Sequence, residues 1–304
     1  MAPIVITQGD PDGVGPELLL RVAAADRLRP GDRVLACPAR LEATAAGLDV
    51  PWARRGLAQI LPLLAPESRP GLGQYAALVA GTDLVLATPG THLVTAPIDK
   101  ARAQDEGLRY PGHTEYLAAR AGVEAYAMCM VGPRLRVALV TIHLPLRAVP
   151  DALRSEDIVT KGSLLAAALP GFVGAARRIA VLGLNPHAGE QGRLGDEETR
   201  IIAPAIEALR RRHPDVEFVG PLPADTAMPA AAAGTYGAIL AMYHDQGLGP
   251  FKLLHFSDGI NATLGLPFRR ASPDHGTARD IAGRGVADAT SMLHAVAHAR
   301  GEDP

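Results

Sequence analysis

The sequence is short of cysteine, aromatic residues and net charge. Among 304 residues it has two cysteines, 4% aromatic residues and a formal net charge of −2. Two cysteines cannot build a disulfide framework or a cysteine-based zinc site, and their scarcity suits a reducing cytosol. The few aromatic side chains and the balanced charge argue against nucleic acid as a partner, because such proteins need stacking platforms or a basic surface.

Long hydrophobic runs are also lacking. No apolar run approaches the roughly 20 residues that cross a bilayer, and the N-terminal residues show no signal-peptide pattern. We therefore expect a cytoplasmic protein without a membrane partner. The composition, 48% hydrophobic and 20% charged, is that of a globular protein. At roughly 150 residues per domain, the length predicts two domains or one large one.

Short β-branched runs alternate with Ala- and Leu-rich stretches, which predicts an α/β protein with a largely parallel sheet. The segment Asp196–Arg212 is the clearest helix, since its isoleucines and leucine recur at the helical period. We expect Asp196 to cap this helix. The predicted strands are Ile4–Thr7, Arg33–Ala36, His92–Thr95, Val137–Ile142, Ile179–Leu184, Val216–Val219, Ala238–Met242 and Asn261–Leu264.

The segments that follow the predicted strands are rich in reactive side chains. In open α/β sheets, ligands bind at the carboxyl ends of strands. Five strands therefore predict a ligand site, since they run into Gly9–Glu17, Ala96–Lys100, His143, Asn185–Glu190 and Tyr243–Gly247.

Three of these segments contain a histidine, namely His143, His187 and His244. Imidazole is the commonest neutral ligand of zinc-like metals, and three ligands leave a position open for a substrate oxygen. Their spacing matches no local zinc motif, so the interpretation depends on their place at strand ends. The alternative is three ordinary histidines.

Other features favour an anionic ligand. Lys100, Lys252 and Arg270 stand among uncharged motif residues and would suit an anionic substrate. Gly9–Glu17 is either a phosphate-binding helix start or a plain glycine turn, because it matches neither the Walker A nor the Gly-x-Gly-x-x-Gly pattern. Residues 272–285 are small, polar and glycine-rich, which is typical of a loop around a nucleotide. The residues alone thus predict a metal and an anionic substrate, with a nucleotide as a further candidate.

Several segments together resemble the 4-hydroxythreonine-4-phosphate dehydrogenase family of pyridoxal phosphate biosynthesis. The resemblance spans nearly the whole chain in the family's order. The first and last segments are also similar to isocitrate and isopropylmalate dehydrogenases, which bind NAD without a Gly-x-Gly-x-x-Gly loop. The matching segments are Thr7–Glu17, Thr95–Lys100, Pro111–Glu115, Thr141–Arg147, Gly183–Glu190, Pro221–Thr226, Tyr243–Gly247, Asn261–Gly276 and Asp280–Gly283.

The resemblance implies two α/β/α subdomains with a cleft between them, as in isopropylmalate dehydrogenase. We place one subdomain at residues 1–115 with 267–304, and the other, with most metal ligands and the dimer interface, at 116–266. A homodimer with its active site at the subunit interface is implied. The implied reaction is the oxidation of 4-phosphohydroxy-L-threonine by NAD, or NADP, with one zinc, magnesium or cobalt ion per site. The β-keto product then loses CO₂ to give 3-amino-2-oxopropyl phosphate.

The resemblance also implies residue roles. The metal ligands would be His143, His187 and His244. The substrate would be held by His113, Thr114, Lys252, Asn261 and Arg270. The dinucleotide would be held by Gly13, Asp274, His275, Gly276 and Asp280. Our hypotheses for the general base or proton relay are Asp225, Lys100 and His113.

The chain departs from the family's pattern at three places. Residues 41–73 are shortened, Asp99 replaces a neutral or basic residue, and Arg269 replaces an aliphatic residue beside Arg270. Two adjacent arginines would accommodate a more anionic substrate. The alternatives are therefore a dehydrogenase of 4-phospho-threonate or of an aromatic cis-dihydrodiol carboxylate. A phosphate acyltransferase and a non-catalytic binding protein are alternatives of other classes, and neither would need three metal-binding histidines.

Overall fold

The computed structural model describes residues 2–172 and 174–302. The strands in these ranges are β1 Ile4–Thr7, β2 Arg33–Leu35, β3 His92–Thr95, β4 Ala127–Val131, β5 Arg136–Leu139, β6 Arg178–Leu182, β7 Glu217–Leu222, β8 Ala238–Ala241, β9 Ile260–Leu264 and β10 Arg270–Pro273. The α-helices are α1 Gly15–Ala24, α2 Pro38–Leu48, α3 Pro51–Ile60, α4 Gln74–Ala87, α5 Lys100–Asp105, α6 His113–Arg120, α7 Val149–Ala152, α8 Ser155–Ala168, α9 Ala203–Arg212, α10 Ala224–Ala232, α11 His244–His255 and α12 Thr290–Arg300.

Residues 2–124 and 266–302 form one compact unit, which we call unit 1. Its strands follow the order β2-β1-β3-β10, and all of them are parallel. The β1 residues Ile4, Val5 and Ile6 are fully buried, as expected for a strand covered on both faces. Because the next two strands of the chain pair on opposite sides of β1, the loops after β1 and β3 lie where such sheets bind ligands.

Residues 125–265 form the second compact unit, which we call unit 2. Its strand order is β9-β4-β5-β8-β6-β7. Strand β4 is antiparallel to both β5 and β9, whereas β5, β8, β6 and β7 are mutually parallel. The core includes the fully buried Phe218 and Phe251. Because β5, β8 and β6 are parallel neighbours, the segments that follow them leave the sheet at the same edge.

The eight predicted strands are present, with ends shifted by up to three residues. Two strands were not predicted, β4 and β10. The β4 sequence Ala-Met-Cys-Met-Val has one β-branched residue, and the β10 sequence Arg-Ala-Ser-Pro has none, so neither shows the usual strand composition. These segments have little β-propensity of their own, so their pairing with neighbouring strands stabilises them.

The predicted helix over Asp196–Arg212 is irregular at its start. A π-helical turn at Glu198–Ile202 precedes α9, and no side chain caps the turn. The prediction that Asp196 is the cap is therefore wrong. Its carboxylate lies 3.4 Å from Arg200 Nε instead.

The two compact units meet in sequence at 124/125 and 265/266. The predicted boundaries were 115/116 and 266/267, and the assignment of a dimer interface to the second subdomain stays a prediction.

Among the described helices, none combines the length and apolar character required to cross a membrane.

A buried ion pair joins the two ends of unit 1. The Arg300 Nη2 atom lies 2.5 Å from Asp32 Oδ2, and both side chains are 1% exposed. Asp32 also accepts hydrogen bonds from the backbone N–H groups of Ile4 and Arg29, at 3.1 and 2.7 Å. The pair thus fixes the last helix to the chain around β1.

Arg300→Met should lower the free energy of unfolding by about 3 kcal/mol, because the Asp32 carboxylate stays buried without its counter-charge. Urea unfolding followed by circular dichroism measures the change. Arg54→Met is the matched control, since the Arg54–Asp49 pair is exposed, and it should cost less than about 1 kcal/mol. Equal losses in the two variants would contradict a special role for the buried pair.

Candidate functional site

Arg270 is a cation at the start of β10 in unit 1. Its side chain is almost fully buried, and Nη2 donates a 2.7 Å hydrogen bond to Thr95 Oγ1 at the end of β3. The parallel pairing of β10 with β3 holds both residues in this arrangement. Burial lowers the pKa of Arg270 to about 10, and the negative charge of Glu115 opposes that shift. A guanidinium held in the interior in this way favours an anionic ligand.

His113 begins α6 and lies close enough to Arg270 to sense its charge. Burial lowers the pKa of His113 well below its ordinary value, and the positive charges of Arg270 and Lys100 lower it further. Its Nε2 atom is buried and has no hydrogen-bond partner in the described part of the chain. A neutral imidazole with such a nitrogen can form one hydrogen bond with a bound ligand.

His143 and His244 come together in unit 2. Hydrogen bonds from the Val140 and Thr141 backbone N–H groups to the Ala241 and Met242 carbonyls extend the pairing of β5 with β8 beyond both strands. The two imidazole centroids are consequently 5.8 Å apart. Both rings line a cavity of about 190 Å³.

His187 lies in a left-handed turn after β6. Residues 187–191 all have positive φ, including 53° at His187. The buried carboxylate of Glu198 fixes the start of this turn, because Oε1 accepts hydrogen bonds of 2.7 Å from the Leu184 and Asn185 backbone N–H groups. Gln246 connects the ends of β6 and β8 by donating to the Gly183 carbonyl and accepting from the Met242 N–H.

The donor chemistry of this edge fits a divalent metal. His244 Nδ1 lies 2.7 Å from Asp245 Oδ1, which leaves Nε2 available as a ligand, the usual arrangement for a metal-binding histidine. Within residues 2–172 and 174–302, however, no three His, Cys, Asp or Glu side chains lie together as a metal-holding group. A single copy of the chain therefore brings His143 and His244 together. The role of His187 as a third metal ligand stays a prediction.

The predicted nucleotide loop is fixed to unit 1 at both ends. Near its start, the Asp274 N–H donates to Ser291 Oγ, and the Thr277 carbonyl accepts a 2.9 Å hydrogen bond from the Val14 N–H. A Cβ at Gly13 would lie 2.6 Å from that carbonyl oxygen, so only glycine permits the contact. At its end, the buried Glu17 carboxylate accepts from the backbone N–H groups of residues 285 and 287.

The remaining predicted residues are spread over both units. In unit 1, Lys100 is exposed and Thr114 is half-buried at the start of α6. In unit 2, Asp225 is exposed in the first turn of α10, and Lys252 Nζ lies 5.6 Å from the Phe256 ring centroid. Asn261 pairs with Met130 across β9 and β4. The roles given to these residues stay predictions.

Sequence reasoning missed the carboxylates that hold the loops. Glu17 and Glu198 look like ordinary helix residues in the sequence, and Asp10 looks like part of a glycine turn. The sequence does not show that these carboxylates are buried, but Glu17 and Asp10 do lie inside the motif Gly9–Glu17. That placement was the available signal.

The architecture defines the class of protein first. A β-decarboxylating dehydrogenase from Thermococcus kodakarensis shares the fold, with a TM-score of 0.55 and 13% identity over 100% of this chain and 85% of that chain. Solved structures thus confirm the predicted α/β class of the isocitrate and isopropylmalate dehydrogenase type.

The family follows from closer relatives. Residues 46–299 match the family described as Pyridoxal phosphate biosynthetic protein PdxA. A 4-hydroxythreonine-4-phosphate dehydrogenase from Desulfosudis oleivorans is 44% identical over 317 residues, 96% of this chain and 94% of the relative. The crystal structure of the Klebsiella pneumoniae protein with that name has a TM-score of 0.83 at 37% identity, over 99% of this chain and 98% of that one. The chain belongs to the PdxA family, as its motifs predicted, and is a dehydrogenase.

His113→Asn should make the stability of the protein less sensitive to acid. In the unfolded chain the imidazole takes up a proton near its ordinary pKa of 6.5, whereas the folded chain holds it neutral. The unfolded state therefore binds more protons as the pH falls through 6.5, and wild-type stability is lost in that direction. Urea unfolding between pH 7.5 and 5 measures the slope. An unchanged slope in the variant would contradict a neutral His113.

Proposed function

We propose that the protein oxidises the C3 hydroxyl of 4-phosphohydroxy-L-threonine with NAD, on the route to pyridoxine 5′-phosphate. The C3 hydrogen leaves as hydride and the hydroxyl loses its proton, which gives 2-amino-3-oxo-4-phosphooxybutanoate. This β-keto acid then loses CO₂ to form 3-amino-2-oxopropyl phosphate. The observation that carries the proposal is the buried guanidinium of Arg270 beside a neutral His113. The names of the curated relatives support the same substrate.

Arg270, His113 and Thr114 would bind the anionic end of the substrate. The positive end of α6 adds to the charge of Arg270 there, and an anion would compensate the cost of burying the guanidinium. His113 Nε2 would form a hydrogen bond with the same ligand. Lys252 and Asn261 are the substrate residues that we propose from unit 2.

Arg269 does not extend this cationic site. Its guanidinium packs against Gly301 at the end of α12, where a Cβ would lie 2.1 Å from Nη1. Its backbone N–H donates to His92 Nδ1 at 3.2 Å. This packing gives no support to the expectation that two adjacent arginines serve a more anionic substrate, which stays a prediction.

A divalent metal, with zinc, magnesium and cobalt as the candidates, is proposed at His143, His187 and His244. When bound, such an ion would supply Lewis-acid polarisation of the substrate oxygen. Asp245 would orient the His244 ring, and Glu198 would fix the turn that contains His187. The pairing of two ligands in one chain supports a site completed by a second copy of the chain.

A homodimer is part of this proposal. Large apolar side chains are exposed in unit 2, with Leu253 at 86%, Phe256 at 79% and Leu146 at 66%. Solvent-exposed side chains of this size at the end of α11 and after β5 are costly in a monomer, so a second copy is the partner we propose for them.

The hydride acceptor would bind the loop over Asp274–Gly276 and Asp280. When bound, NAD supplies the two-electron acceptor. We favour NAD over NADP, because no arginine-rich pocket for a 2′-phosphate stands out in the sequence and Arg279 of this loop is already paired with carboxylates. For the proton of the hydroxyl group the candidates remain Lys100, His113 and Asp225.

Two alternatives within the fold remain candidates, 4-phospho-threonate and an aromatic cis-dihydrodiol carboxylate. Each would also place an anionic group on Arg270. A phosphate acyltransferase would have no use for the imidazoles after β5 and β8.

The proposed reaction predicts NADH formation from 4-phosphohydroxy-L-threonine. A chelator should abolish it, and added divalent metal should restore it. The same assay with 4-phospho-D-threonate is the parallel arm. Turnover of 4-phospho-D-threonate alone would identify that compound as the substrate instead. If neither substrate gave NADH and the protein held no metal, the result would contradict the proposed dehydrogenase site.

Arg270→Met should raise the KM for the phosphorylated substrate at least about tenfold, because a charge-assisted contact is lost. Arg269→Met is the neighbouring control and should keep the wild-type KM. Steady-state kinetics at saturating NAD measures both. A similar KM in the two variants would remove Arg270 from the substrate site.

A further inference from the structure

Asp10 is a fully buried carboxylate in the loop after β1. Its Oδ2 lies 2.6 Å from Arg279 Nε, and its Oδ1 lies 3.3 Å from Arg102 Nη1. Arg102 Nη1 also lies 2.7 Å from Asp12 Oδ2. Two cations therefore converge on one buried anion, whose charge they compensate.

Arg279 contacts a second carboxylate as well. Its Nη2 lies 3.2 Å from Asp99 Oδ2. Asp99 is the N-cap residue of α5, and its Oδ1 accepts a hydrogen bond from the Arg102 N–H. We call these five residues, Asp10, Asp12, Asp99, Arg102 and Arg279, the Asp10 cluster. Arg279 thereby joins the loop that contains it to the segments that follow both β1 and β3.

The rest of the loop around Arg279 is bonded mainly to itself. The N–H groups of residues 281, 282 and 284 donate to the carbonyls of residues 278, 279 and 281. In the described part of the chain, Arg279 makes the only side-chain hydrogen bonds that leave residues 278–284. Its guanidinium is thus the attachment of this segment by side-chain hydrogen bonds between Thr277 and Gly285.

We propose that Arg279 is a positioning residue for the dinucleotide. It holds residues 278–284 against the loop after β1, and so sets the place of Asp280 and of the preceding Asp274–Gly276. The inference rests on the proposed function, because it takes this loop to be the NAD site. The guanidinium itself is directed at two carboxylates, so it acts through the loop and not by contact with the cofactor.

The test compares variants at two positions of the loop, Arg279 and Arg284, and at Asp99 at the start of α5. Arg279→Met should raise both the Kd and the KM for NAD about tenfold, and leave the KM for the phosphorylated substrate within about twofold. Arg279→Lys should recover part of the loss, because an ammonium can still pair with Asp10. Arg284→Met is the matched control and should bind NAD as the wild type does. Among the described residues, the side chain of this exposed arginine has one hydrogen bond, to the Asp280 carbonyl within the loop.

Asp99→Asn covers the case in which Arg279→Met does not fold. Asparagine keeps the shape and the helix cap but removes one charge from Arg279, so the Kd for NAD should rise several-fold. Isothermal titration calorimetry with NAD on each folded variant gives the Kd. Wild-type affinity in both Arg279→Met and Asp99→Asn would overturn the inference, as would equal losses for NAD and substrate. A wild-type protein that binds no NAD would instead reject the proposed cofactor.

Discussion

Buried carboxylates that accept hydrogen bonds hold the loops of this protein at the ends of its strands. In unit 1, Asp32 accepts from two backbone N–H groups and Arg300, and Glu17 accepts from two N–H groups at the end of the nucleotide loop. In unit 2, Glu198 does the same for the turn that contains His187. An ionised carboxylate in the interior is costly unless every such contact is made. These contacts hold the loops through residues of the protein itself, with no ligand needed to make them.

The charge of the site has the opposite sign. Arg270 is buried beside His113, and Lys100 adds further positive charge, which keeps the imidazole neutral. The carboxylates that hold the loops are thus different residues from those of the cationic site, where we propose that a phosphate or carboxylate binds. Unit 1 therefore combines loops held by buried carboxylates with a buried cation. An anion bound there, as we propose, would meet charge that is already assembled in the folded protein.

Much of the fold was predictable from sequence because strand ends and motifs coincide. His143 and His244 were predicted to meet on the evidence of place alone, and parallel pairing of β5 with β8 brings them together. Strands β4 and β10 could not be predicted, since their own residues do not favour a strand. The direction of the Arg269 side chain could not be predicted either, because it depends on which neighbour the side chain packs against. The local sequence shows the hydrophobic periodicity of a helix or strand but not the residues that it contacts.

The Asp10 cluster is a second case in which the sequence does not show which side chains contact each other. Asp99 is one of the three places where the sequence departs from the family's pattern, and the sequence alone does not indicate what it contacts. In the structure Asp99 caps α5 and pairs with Arg279, which is far away in the chain. An acidic residue after β3 and a basic residue in the loop therefore compensate each other's charge. Asp99 therefore takes part in the attachment of the loop through Arg279.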